Sequence, residues 1–115
     1  MTSRYIYKIC PSTIWHDAEA AGHFEGAGID LVDGYIHFST AAQVAETAHL
    51  HFTAQEGLNL IEIDSHKLEI TWEASRGGQL FPHLYERLPL SAVVQTWPLA
   101  LGHDGRHILP AFTQE

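Results

Sequence analysis

Apolar and polar residues alternate with a period of two in segment after segment of this chain. That commits much of its length to strands with one buried and one polar face. "YIYKI" at residues 5–9 and "LNLIEID" at 58–64 are built of β-rich residues that alternate. "GYIHFST" at 34–40 turns Tyr35, His37 and Ser39 to one side and Ile36 and Phe38 to the other. "LEITWEAS" at 68–75 puts Thr71 and Glu73 opposite Ile70 and Trp72, and "LFPHLYERL" at 80–88 sets Phe81, His83 and Tyr85 against Leu80, Pro82 and Leu84. "AVVQTWPLAL" at 92–101 is a strong strand, and "GHDGRHILP" at 102–110 makes a turn and a last short strand.

Two early segments carry helical spacing instead. In "PSTIWHDAEAAGHF", Ser12 or Thr13 can cap a short helix bearing Ile14, Trp15, Ala18 and Ala21, which Gly22 stops. Thr40-Ala41-Ala42-Gln43 fits a capping box opening a second helix to about Phe52, with Val44, Ala48 and His51 or Phe52 inward. "EGAGIDLVDG" at 25–34 reads as a loop and "RGGQ" at 76–79 as a flexible turn. Early helices followed by a run of strands predict an α+β fold rather than a doubly wound one.

At 115 residues the chain predicts a single domain, 1–115, that buries a core without staples. Its net charge of −8, from 14 acidic against 6 basic residues, lacks the attraction for phosphate on which nucleic-acid and anionic membrane surfaces depend. Neither partner is expected. Cys10 is the one cysteine, so no intramolecular disulfide and no thiolate zinc site can form. No run of about 18 apolar residues and no cleavage signal occurs, which predicts a cytoplasmic protein. The nine histidines are scattered and form no tract, and the His49-x-His51 pair, two apart on a helix, does not chelate.

Three strands each offer a polar group among aromatics. If those faces meet, His37, Glu73 and His83 line a cleft flanked by Tyr35, Tyr85 and Arg76, suited to proton transfer or to holding a small molecule by stacking and hydrogen bonds. Ser39 and Thr40, at the expected helix start with Gln43, could receive a phosphate or carboxylate. The competing readings are plain ones: His37 as a structurally bonded strand residue, the trio as unrelated surface residues, Arg76-Gly77-Gly78 as a common turn and Cys10 as a buried inert thiol. His-Glu-His is an acceptable metal set, but its long-range spacing carries no metal signature and no metal is expected.

The series "YIYKI", "IWHDAEAAG", "DGYIHFSTAAQV", "LIEID", "WE", "LFPHLYERLPLSAVV" and "DGRHILP" resembles, over nearly the whole chain, an uncharacterised bacterial family, the domain of unknown function 952 family. That family is similar in fold to the ADP-ribosyltransferase-like superfamily. The resemblance implies a small, split, mostly antiparallel sheet with two short helices, and a cleft for NAD or a related nucleotide. "GYIHFSTAAQVAETA" looks like the transferases' strand-helix unit, with His37 where a Tyr stacks on nicotinamide. Tyr7 or Lys8 stands where they carry a His or Arg that grips ribose, a departure, and His83 or Glu73 falls near their catalytic acidic or polar residue. Three functions are therefore expected to compete: an NAD-binding ADP-ribosyl transferase or hydrolase, a non-catalytic small-metabolite or peptide module, and a metal-dependent hydrolase built on His37, Glu73 and His83.

Overall fold

The computed structural model describes residues 3–111. Along the chain run β1 (Tyr5–Pro11), α1 (Ser12–Ala21), β2 (His23–Phe24), α2 (Ile29–Asp33), β3 (Ile36–His37), β4 (Ser39–Thr40), α3 (Val44–His51), β5 (Leu58–Asp64), β6 (Thr71–Ala74), β7 (Leu80–Leu84), β8 (Leu88–Pro89), β9 (Val93–Leu101) and β10 (His107–Ile108). The fold is mixed α+β with antiparallel pairing in a five-stranded sheet ordered β10-β9-β5-β1-β4, a three-stranded sheet ordered β3-β7-β6, and the pair β2-β8.

β1 is the spine of the larger sheet. It pairs along its whole length with β5, from Tyr5↔Asp64 to Pro11↔Leu58, and on its other edge meets β4 at Ile6↔Thr40 and Tyr7↔Ser39. Alternation along β1 and β5 feeds two cores. Ile6, Cys10, Ile61 and Ile63 join Trp15, Phe24, Ile36, Phe38, Leu84 and Leu88 in one. Tyr7, Ile9, Leu58 and Leu60 join Val44, Ala48 and Leu99 in the other.

Several local expectations need correction. Residues 34–40 do not form one strand: β3 lies in the three-stranded sheet and β4 in the five-stranded one, with Phe38 between them donating its amide to the Pro82 carbonyl at 3.0 Å. Residues 25–34 hold a helix, α2, so the described chain has three α-helices rather than two. The predicted cap of α1 is absent. Pro11 occupies the cap position without a side-chain bond, and Ser12 Oγ bonds Asn59 Oδ1 instead at 2.6 Å.

α3 begins at Val44, a turn later than the capping box implied. Half of that box survives, since the Thr40 amide donates to Gln43 Oε1 at 3.1 Å. Gln43 Nε2 then donates to the Leu80 carbonyl at 2.9 Å, tying the start of α3 to β7. Among the described residues no helix is long and apolar enough to cross a membrane.

Candidate functional site

The pairing His37↔His83 of β3 with β7, and Thr71↔His83 of β6 with β7, sets the polar faces of three strands side by side. Because alternate residues share a face, Tyr35, His37, His83, Tyr85 and Glu73 converge. The His37 and His83 rings lie 5.2 Å apart, edge to face. Tyr35 covers both, at 4.5 Å from His37 and 4.3 Å from His83, and its other neighbour is Tyr85 at 5.0 Å.

Glu73 serves two donors with one oxygen: His83 Nδ1 and the Tyr85 hydroxyl each lie 2.7 Å from Oε1. The bonds from Tyr85 and His83 hold the Glu73 carboxyl below the usual carboxylate range. In return Glu73, with a contribution from burial, pushes the Tyr85 phenol up to about 12. The His83 side chain is 5% exposed. With Nδ1 donating to the carboxylate, Nε2 carries a lone pair and has no partner among the described residues.

His37 is held differently. Nδ1 meets Asp30 Oδ1 at 2.6 Å and Nε2 meets Asp33 Oδ2 at 3.0 Å, so neither ring nitrogen is open to a ligand. Asp30 is fully enclosed and also receives the His37 amide at 3.0 Å, the Ala27 amide at 3.0 Å and the Lys8 ammonium at 2.7 Å. Lys8 Nζ gives a further bond to the His37 carbonyl at 3.0 Å. Burial works against the Asp30 charge, but the donors around it, His37 and Lys8 above all, hold its pKa at about 2. Burial draws the Lys8 ammonium below its ordinary value, with Asp30 opposing.

Both histidines border a cavity of about 640 Å³, together with Lys8 and Ser39. Its remaining wall is mainly apolar, with Ile9, Phe38, Phe52 and Phe81 prominent. Ser39 Oγ lies 2.8 Å from Thr47 Oγ1, which donates to the Gln43 carbonyl at 3.2 Å. Thr40 and Gln43 lie outside the cavity wall, and the Gln43 amide is spent on backbone at both ends. Tyr35 and Tyr85 border a separate cleft of about 230 Å³. The Arg76 side chain is outside the described part. Cys10 is buried, and burial pushes its thiol up to about 11, the behaviour of an inert core cysteine.

Among the described residues no group of three His, Cys, Asp or Glu side chains is arranged to hold a metal ion. The ring nitrogens of His37 face aspartates rather than converging with Glu73 and His83, which removes the geometric basis for a metal-dependent hydrolase on that trio.

Sequence reasoning overlooked Asp30 and Asp33, and gave Lys8 no partner. A signal was present: Lys8 is the one charge in the apolar run "YIYKIC", and a buried ammonium requires a carboxylate.

Fold and site together define a small α+β domain whose histidine- and carboxylate-bearing strands edge a cavity. The chain belongs to the family described as "Protein of unknown function (DUF952)", whose model matches residues 9–96. It is similar to protein CC0527 from Caulobacter crescentus. That protein's crystal structure is 43% identical over 90% of this chain and 93% of that one, with a TM-score of 0.87. The solution structure of CC0527 matches at 43% identity over 90% and 91%, with a TM-score of 0.81. No curated protein matches the chain.

Proposed function

We propose that the cavity is a small-molecule site in which His83 acts as the general base and Glu73 orients it. The observation that carries this reading is a nearly enclosed imidazole, fixed at Nδ1 by a carboxylate 2.7 Å away, whose other nitrogen is unspent beside a cavity of about 640 Å³. The arrangement is the base-and-orienter half of a hydrolytic triad: the carboxylate sets the tautomer and stabilises the charge that the ring acquires on taking a proton. His37 is a fixed wall residue, since its nitrogens are occupied.

Binding of NAD, with ADP-ribosyl transfer or hydrolysis, is the second reading. It is supported by the resemblance of residues 34–48 to a transferase strand-helix unit and by the packing of Tyr35 on His37. Against it weighs the charge of the wall, where the described cation is Lys8, already neutralised by Asp30. A module that binds without turnover would use the same cavity.

Titrating ¹⁵N-labelled protein with NAD and with small uncharged aromatics tests the site. Saturable shifts at Ser39, Phe81 and His83, weakened at least about tenfold by His83→Gln, are expected. If no ligand moves those three positions at millimolar concentration, the site reading falls. Turnover that disappears in His83→Gln while binding persists separates an enzyme from a binding module.

A further inference from the structure

We infer that the cavity takes an uncharged, largely apolar molecule that presents an N–H or O–H donor to Nε2 of His83. The inference rests on the cavity being a small-molecule site, and it comes from following the hydrogens of Thr47, Ser39 and His83 on the wall.

Thr47 donates its hydroxyl hydrogen to the Gln43 carbonyl, so in the 2.8 Å contact with Ser39 it is the acceptor and Ser39 the donor. The Ser39 hydrogen is thereby spent, and what Ser39 offers the cavity is a lone pair. His83 gives its Nδ1 hydrogen to Glu73, so Nε2 offers another lone pair. Ser39 and His83 are both more than nine-tenths buried. Two acceptors on one cavity wall favour a ligand that brings a donor, because a ligand without one covers Nε2 and leaves it stripped of water and unmet.

The Lys8 ammonium does not reverse this polarity. Asp30 at 2.7 Å and the His37 carbonyl at 3.0 Å hold it, so an anion would have to compete with a carboxylate already in place. The apolar wall of Ile9, Ile14, Phe38, Phe52 and Phe81 repays no charged or strongly hydrated group for the water it loses on entry.

Three aromatics separate the possibilities on the unmodified protein: indole, which has one N–H donor; benzothiophene, close in shape but with no donor; and benzoate, an anion. NAD is added as a fourth probe. In ¹⁵N-histidine-labelled protein, indole is expected to move the His83 Nε2 resonance and, in a uniformly labelled sample, the Ser39 amide. It should bind at least about fivefold more tightly than benzothiophene, the factor one net hydrogen bond supplies. Benzoate should bind more weakly than either. Equal binding of indole and benzothiophene overturns the inference, as does tighter binding of benzoate or NAD at Ser39 and His83, and in those cases the small-molecule site itself stands. Silence from all four probes at these two residues overturns both. Because the comparison is made between ligands, it does not depend on any variant folding.

Discussion

Asp30 shows how much one side chain can decide. Its carboxylate is the shared acceptor for two backbone amides, an imidazole and a buried ammonium. Replacing it with alanine strands Lys8 in the interior, so Asp30→Ala should cost on the order of 3–5 kcal/mol, read from urea denaturation. The double variant Lys8→Met/Asp30→Ala should recover only part of that loss, because the Ala27 and His37 amides still lack their acceptor. Full recovery would show that the ammonium alone needed Asp30.

The same residue predicts an acid limb. Its folded pKa of about 2 lies below the ordinary 3.8, so its contribution to stability is complete well above pH 3.8 and is lost as the pH falls through 2. That contribution is about 2 kcal/mol, and a stability-pH curve should lose that much of its acid slope in Asp30→Asn. At this scale, alternation was enough to gather His37, Glu73 and His83 on one face. It could not pair Lys8 with Asp30, because their meeting depends on where α2 settles over β1.

Among the elements, α2 and its flanks are the least foreseeable from sequence. A helix of five residues leaves no periodicity to read, and its glycines and aspartates imitate a loop. The geometry still makes sharp demands on them. Gly26 has φ +121°, and a Cβ there would stand 2.9 Å from that of Asp30. Gly34 has φ +84°, ends α2 by donating its amide hydrogen to the Asp30 carbonyl, and has open space around it. Gly34→Ala should therefore cost only the left-handed backbone penalty, about 1–2 kcal/mol. Gly26→Ala should cost more, and should also displace the His37 ring resonances because it pushes on their anchor. Equal costs with unchanged His37 signals would contradict this ordering. The 34–40 segment teaches a related lesson: alternation assigns residues to faces, but it does not say which strand lies alongside, so one predicted strand became two in different sheets.

Across the whole molecule, β1 and β5 separate two cores while belonging to both. A void on either side should be felt throughout. Leu60→Ala should cost about 2–5 kcal/mol, with tryptophan fluorescence and far-ultraviolet circular dichroism giving one midpoint. Two separate midpoints would mean that the cores melt independently. The α+β class was legible because helical and alternating segments occupy different parts of the chain. The strand order β10-β9-β5-β1-β4 was not, since it is fixed by contacts between segments far apart in sequence.

The crossing of residues 34–40 from one sheet to the other also bears on descent. His37, Phe38 and Ser39 are held by what they do for the architecture, so a lineage that had abandoned the chemistry proposed for the site would still be under pressure to keep them. Among the described residues, Nε2 of His83 bonds to no other part of the protein. On the role proposed for His83, position 83 is therefore where drift should first mark a branch that has lost that role, while His37, Phe38 and Ser39 persist.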